Sequence, residues 1–384
     1  MDLTNDKDIK ISVVIVNYRV KYFLEQTLQS TLYALSGINS EIIVIDNHSQ
    51  DDSIPYLRNK FSNTTNIQFI ENHENIGFAR ANNQGIKIAR GAYTLILNPD
   101  TVITREVIAT ALELMETTPD CGGIGTKMID GDGVFLPESK RGFPTPWTSF
   151  CKIFGLAKLF PKSKTFGKYH LKYLSADETH QVDILAGAFM LIRTPLLQQC
   201  GGFDESFFMY GEDIDLSYKL VQAGYQNYYI PTPIIHYKGE STKKDSFKYV
   251  KVFYEAMLIF FHKHYPNYSR VYAIFIYLAI GIRATAAIIK RILVAPFSTL
   301  RKVESKNRVW SITSNAKNRD KICKLISAEA EKAITTQTTD IIIDNESMNY
   351  DEIVKYISQN QSRNHHFHIY NATSNIIISP KMSN

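Results

Sequence analysis

At 384 residues, 44% hydrophobic and 21% charged, the chain has room for one domain of about 200 to 250 residues plus appendages. A formal net charge of +5 and the lack of any long basic run argue against a nucleic-acid partner. Cys121, Cys151, Cys200 and Cys323 include no Cys-x-x-Cys pair, which disfavours a disulfide frame or zinc site and fits a reduced, cytoplasmic setting.

Met1 to Lys10 is polar and lacks the apolar core of an export signal. Ile11 to Val16 is a β-branched run ending at Asn17-Tyr18, and Leu24, Leu28, Leu32 and Leu35 then recur at helical spacing. Glu41 to Ile45 reads as a second strand ending at Asp46-Asn47, followed by a short helix from the Asp51-Asp52-Ser53 cap region. Ile67 to Ile70 is a third strand, Phe78 to Ala89 a helix, and Tyr93 to Leu97 a fourth strand. This alternation predicts a parallel sheet with right-handed crossovers and helices on both faces.

Thr94 to Leu97 is an apolar run that stops at Asn98-Pro99-Asp100. In open α/β sheets, ligands collect beyond the carboxyl ends of strands, which would put Asp100 at an active-site edge. The same three residues read equally well as a turn. Asn75 to Gly85, with its glycines, amides and Arg80, could place donors beside a phosphate at a helix N-terminus; a capped helix packed through Asn82 and Asn83 is the alternative. Asp130 to Gln181 is Pro-rich and irregular, and reads as an insertion over the site or as a linker. Strand signals return at Val182 to Leu185, at Ala188 to Ile192, and at Ile234-Ile235 before His236. Between the last two lie Gly201-Gly202-Phe203-Asp204-Glu205 and Gly211-Glu212-Asp213-Ile214-Asp215. Glu212 and Asp213 would occupy the first turn of an amphipathic helix, where the helix dipole favours anions.

Val13 to Tyr18, Asp46-Asn47-x-Ser49, Asn75-x-Gly77-Phe78-Ala79-x-x-Asn82, Asn98-Pro99-Asp100, the Gly-Gly-Phe-Asp-Glu and Glu-Asp-x-Asp-Leu segments, and His236 stand in an order that resembles family 2 glycosyltransferases. The likeness covers residues from about 10 to 245 and is nearest the bacterial rhamnosyltransferase-like branch. It implies an α/β GT-A fold and inverting transfer of a sugar from a nucleotide diphosphate donor, of dTDP-rhamnose or UDP-sugar type. It further implies that Asp46 recognises the base, that Asp100 and His236 bind Mg²⁺ or Mn²⁺, and that Asp213 is the general base. Asn17, Arg80, Asn82, Asn98 and Glu212 are expected to line the nucleotide-sugar site. Asn98 stands where many relatives carry Asp. The roles suit the residue types: an oxygen-bound cation offsets charge on a diphosphate leaving group, and a carboxylate takes the proton of an acceptor hydroxyl. The Gln-x-x-Arg-Trp motif of processive members is absent, so one or a few sugars would be added.

After His236, Phe247 to Tyr265 is an aromatic helical stretch. Val271 to Leu300 is apolar but broken by Arg283, Lys290 and Arg291 on one helical face, which suggests an interfacial helix within residues 246–305, with a tilted span or a soluble packing helix as the alternatives. A cytoplasmic enzyme held at the inner face of the membrane, close to a glycan or lipid-linked acceptor, is the expectation. Residues 306–384 read as a small separate α/β unit that weakly resembles a truncated nucleotide-sugar epimerase tail. Its His365, His366 and His368 could hold a metal or belong to a solvated strand edge. The rival readings are a nucleotidyltransferase, which would show a phosphate loop after the first strand, and a catalytically inactive nucleotide-sugar-binding or scaffold protein.

Overall fold

The computed structural model describes residues 8–238, 247–268, 309–330 and 339–380. Strand β1 (Ile11–Asn17) is buried at every position, as a β-branched run between two neighbours must be. β2 (Ser40–Asp46) and β4 (Tyr93–Leu97) flank it in parallel, and β3 (Ile67–Glu71) lies outside β2. Helices α1 (Lys21–Ala34), α2 (Ser53–Lys60) and α3 (Phe78–Ile88) make the crossovers, so the predicted alternation stands. Leu24, Leu28 and Leu35 of the predicted helical stripe are buried in the core under β1 and β2, with Leu32 packed at its margin. The register sets Asn17 beside Asp46 at the carboxyl ends of β1 and β2.

Beyond β4 the sheet becomes mixed. β8 (Phe189–Arg193) runs antiparallel to β4 and to β6 (Cys121–Ile129), and β6 runs parallel to β9 (Gln226–His236). β5 (Thr101–Val102) closes the path against the end of β9, and β7 (His180–Val182) pairs with β9 off it, giving nine strands in the order β3-β2-β1-β4-β8-β6-β9-β5 with β7 to the side. This mostly parallel sheet with flanking helices is the expected α/β GT-A architecture.

β6 and the helix before it, α4 (Arg105–Thr117), were not among the predicted elements. Gly122, Gly123 and Gly125 make the Cys-Gly-Gly-Ile-Gly run look like a turn, whereas packing requires two of them. A Cβ on Gly123 would fall 2.6 Å from Leu185 Cδ1, and one on Gly122 would fall 2.7 Å from Tyr225 Cβ.

The C-terminal strands β10 (Val309–Thr313), β11 (Thr339–Asp344) and β12 (His365–Asn371) are parallel, with β13 (Ile376–Ile378) antiparallel to β12. The short β10 and β13 were not predicted. Although the unit has its own sheet, it does not pack separately. Ile341, Ile343, Ile353, Ile357, Phe367 and Ile369 share one core with Val20, Phe23, Val102, Ile129, Ile235 and Tyr237. At its margin, Asn371 Nδ2 donates to the buried Glu25 Oε1 at 3.1 Å, and Tyr33 Oη donates to Asp351 Oδ2 at 2.9 Å. Ile353 is 0% exposed, so Ile353→Ala removes buried methyl groups from this shared core and is expected to cost about 2–5 kcal/mol. Urea unfolding should show one transition shifted as a whole; an early partial transition with the rest unmoved would mean the two sheets are energetically independent.

The three histidines diverge. His368 lies between Asp340 and Ser379, His366 faces Asp132, and His365 Nδ1 is 2.9 Å from the Asn360 carbonyl. The stretch from Val271 to Leu300, with Arg283, Lys290 and Arg291, lies outside the described residues. Among those described, no helix is long and apolar enough to cross a membrane.

Candidate active site

The Asn98-Pro99-Asp100 segment leaves the end of β4 and is tied down from both sides. Thr27 Oγ1 donates to the Pro99 carbonyl at 2.8 Å, and Asn98 N donates to the Ala188 carbonyl at 3.1 Å. The following two-residue strand β5 pairs Thr101 with His236 at the end of β9, and this pairing brings the imidazole to the carboxylate. His236 Nε2 lies 3.4 Å from Asp100 Oδ1 and 3.3 Å from Asn98 Nδ2. Both Asp100 and His236 are nearly buried. His236 Nδ1 and Asn98 Oδ1 are buried without a hydrogen-bond partner, an unusual state for polar atoms away from water.

The second cluster opens helix α8 (Glu212–Gln222), whose N-cap Gly211 adopts a left-handed φ of 85°. The structure divides its five carboxylates. Asp204 bonds to Lys263, while Asp215 is wholly buried between Lys263 and His264 of helix α9 (Phe247–His264). Glu205 accepts from Asn83 Nδ2 at 3.1 Å and pairs with Arg80. These three fasten loops and α9 in place. Glu212 and Asp213 remain.

Asp213 forms an ion pair with Arg141, a buried residue of the insertion that also donates to the Leu185 carbonyl at 3.2 Å. Burial alone would lower the Arg141 pKa; the adjacent Asp213 charge overrides this and raises it. The other Asp213 oxygen, Oδ1, accepts from Ile214 N at 2.8 Å, and Gly187 N approaches Oδ2 at 3.4 Å. A Cβ on Gly187 would sit 3.5 Å from the Asp213 Cβ, so the Ala186-Gly187-Ala188 turn passes directly over this carboxylate. Ala188 is the residue that holds Asn98, so this one turn connects the Asp100–His236 edge to Asp213.

Burial, reinforced by the Asp213 charge, pushes the Glu212 carboxyl up to about 8, and its Oε2 has no hydrogen-bond partner. This direction favours the protonated form of Glu212. Its folded pKa lies above its ordinary value of 4.5, so its contribution favours the fold at low pH and is lost as pH rises through about 8. The expected result is that Glu212→Gln melts above the parent in alkaline buffer and that the difference vanishes below the ordinary carboxyl pKa. Equal melting temperatures across the range would refute the buried neutral carboxyl.

On the other side of the sheet centre, Asn17 Nδ2 donates to Asp46 Oδ1 at 2.7 Å and to Ser49 Oγ at 3.1 Å, while Ser49 N donates to Asp46 Oδ2 at 3.0 Å. His48 and Gln50 have φ of 66° and 57°, so the loop after β2 is tightly turned around Asp46. Asn82 donates to the Phe78 carbonyl of its own helix at 3.0 Å, with its Oδ1 buried and unpartnered. Arg80 is exposed on α3 beside Glu205. The structure thus gathers Asn98, Asp100 and His236 in one cluster, Glu212 and Asp213 in a second, and Asn17 and Asp46 in a third. Arg80 and Asn82 have local partners. Sequence reasoning missed Arg141 and Gly187; Arg141 lies beside Lys140 in a lysine-rich segment, so no local pattern marked it.

The sequence matches the family described as glycosyltransferase like family 2 over residues 9–252. A relative from Mycobacterium tuberculosis, N-acetylglucosaminyl-diphospho-decaprenol L-rhamnosyltransferase, is 27% identical over 272 residues, covering 68% of this chain and 86% of the relative. The low-salt glycan biosynthesis hexosyltransferase Agl10 of Haloferax volcanii is 29% identical over 213 residues, 54% of this chain and 61% of that one. Poly-beta-1,6-N-acetyl-D-glucosamine synthase of Staphylococcus aureus is 26% identical over 231 residues, 60% of this chain and 50% of the synthase. Among solved structures, the mannosyltransferase PcManGT from Pyrobaculum calidifontis, in complex with GDP-Man and Mn²⁺, superposes with a TM-score of 0.46 at 16% identity, over 84% of this chain and 80% of that one. The protein is a glycosyltransferase and belongs to the glycosyltransferase like family 2.

Proposed function

We propose that the enzyme moves one sugar at a time from a nucleotide diphosphate sugar, of dTDP-rhamnose or UDP-sugar type, to a glycan or lipid-linked acceptor by a single inverting displacement. Polysaccharide synthesis at the inner face of the cell membrane is the setting proposed for it. The catalytic unit in this reading is residues 1–245, with 246–305 associating with the membrane and 306–384 a docked α/β unit. The observation that carries the reading is the convergence of two unlike clusters on one turn. Ala188 holds the Asn98–Asp100 segment, and Gly187 covers Asp213. A leaving-group side and an acceptor side are thereby adjacent.

Asp100 and His236 are the residues that would hold Mg²⁺ or Mn²⁺. The donor set fits: a carboxylate oxygen and an imidazole nitrogen 3.4 Å apart are close enough to share one ion. Among the described residues no group of three or more His, Cys, Asp or Glu side chains could enclose a metal. The arrangement proposed is a cation bound by one or two protein groups plus diphosphate oxygens and water. Such an ion, when bound, offsets the charge that develops on the departing nucleoside diphosphate.

Asn17 and Asp46 form the polar floor at the ends of β1 and β2 and are assigned to the nucleotide. Asp213 accepts the acceptor hydroxyl proton as the new glycosidic bond forms. Its charge is compensated beforehand by Arg141 and by the N-terminus of α8, so a carboxylate can be held in a half-buried position. Burial favours the protonated form of Glu212, which makes it the weaker candidate to take that proton. The test is the anomeric configuration of the product by NMR once a donor is found. A linkage opposite to that of the donor supports single displacement, and a retained configuration rules it out.

A further inference from the structure

The insertion that supplies Arg141 also carries an exposed apolar surface that belongs to none of the three clusters described above. Helix α5 (Pro146–Ile153) and the four-residue helix α6 (Leu156–Leu159) carry Trp147, Phe154, Leu159 and, just beyond, Phe160, all exposed. Leu159 is 69% exposed, and these four make up most of the large exposed hydrophobic side chains among the described residues. They are not scattered. Trp147 stacks on Phe150 at 5.7 Å and leans on Phe166 at 6.1 Å, Phe150 meets Phe154 at 4.6 Å, and Phe160 meets Phe166 at 5.5 Å. A contiguous aromatic face of this kind, outside any core, marks an interaction surface.

Its charge indicates the partner. Between Glu138 and Asp177 the sequence contains no Asp or Glu, whereas Lys158, Lys162, Lys164 and Lys168 are interspersed with the aromatics in sequence and are exposed; Lys152 is turned onto the Tyr169 ring, 3.5 Å from its centroid. Aromatic rings that settle at the headgroup level, with lysines able to reach lipid phosphates, match the interface of an anionic bilayer.

The root of this excursion is tied to the catalytic carboxylate. Gly142 N donates to the Tyr169 carbonyl at 3.1 Å, closing the base of the excursion between them, and Arg141 next to Gly142 pairs with Asp213. Tyr169 and Pro144 also line a small apolar cavity with Gly211 and Ile214, on either side of the Glu212–Asp213 pair in sequence. We propose that the Trp147–Phe166 face seats on an anionic membrane surface, setting the Asp213 side of the active site against the bilayer, where a lipid-linked acceptor would be presented. In sequence this surface is separate from the apolar stretch after residue 268, which lies outside the described residues. The contact is measured without substrate, so its failure leaves the proposed transfer standing.

Trp147 reports on the contact directly, because the chain has only two tryptophans and Trp310→Phe leaves it alone. The full-length Trp310→Phe protein is mixed with phosphatidylcholine vesicles with and without phosphatidylglycerol, including vesicles with brominated acyl chains. The expected result is a blue shift of Trp147 emission on anionic vesicles, loss of most of its intensity to the brominated chains, and reversal by added salt. A second protein carrying Phe154→Ser, Leu159→Ser and Phe160→Ser, all solvent-facing positions, is expected to bind anionic vesicles more weakly with unchanged thermal stability. Unshifted, unquenched Trp147 on vesicles that the chain has bound would overturn the proposal. So would binding indifferent to lipid charge, or no binding at all; the last would leave a protein partner as the better account of the patch.

Discussion

Asp213→Asn is expected to lower kcat by about 10²- to 10⁴-fold, the range lost when a positioned general base is removed. Donor binding should change little, because the substitution alters the proposed acceptor side of the site. One complication comes from the structure itself. Asp213 is the counter-ion of the buried Arg141, and breaking a buried pair by removing one partner can cost about 3–5 kcal/mol. Loss of activity could then reflect loss of fold. Asp213→Glu separates the two, since it keeps the charge opposite Arg141 while displacing the carboxylate by one methylene. The expected outcome is near-parental melting for the Glu variant together with a large loss of kcat. Glu212→Gln, by contrast, should keep a substantial share of activity at neutral pH, because burial already favours the uncharged form of Glu212. A Glu212 variant as inactive as the Asp213 variant would move the base assignment to Glu212.

The second large effect is expected at Asp100. Asp100→Ala removes the carboxylate that faces His236 at 3.4 Å and should lower kcat/KM by about 10²–10³-fold, comparable to deleting one preorganised electrostatic contact to a developing anion. The residual rate should no longer respond to added Mg²⁺ or Mn²⁺, and EDTA should reduce the parent to the same level. Asp100 is nearly buried but lies at the edge of β5 rather than in the hydrophobic core, so thermal stability should fall far less than activity. A variant that keeps its metal response would remove Asp100 from the proposed ligand set.

Much of the catalytic fold could be read in the sequence because its first half repeats one unit. The runs at Ile11, Glu41, Ile67 and Tyr93 alternate with amphipathic helices, and periodicity reports such elements well. β6 escaped because its glycines are there for close packing against Leu185 and Tyr225, partners that no local pattern encodes. The same limit applied to the site. The carboxylates around Asp213 were visible as a cluster, but their division depends on Lys263 and His264, which follow about fifty residues later and bond to Asp204 and Asp215. Arg141 is separated from Asp213 by 72 positions within a segment with no regular period. The separate C-terminal unit expected from composition turned out to share a core with Phe23 and Ile235, because amphipathicity shows that a face is buried but not what covers it.

The measurement that bears most directly on the central claim is release of nucleoside diphosphate from a panel of UDP-, dTDP- and GDP-sugars, with a membrane lipid extract as acceptor source and with Mg²⁺, Mn²⁺ or EDTA. The parent, Asp213→Asn and Asp100→Ala proteins are compared side by side. The account predicts metal-dependent release from one donor by the parent and near-background release by both variants. Tight binding of a nucleotide sugar with no release under any condition would contradict it and favour a catalytically inactive binding protein.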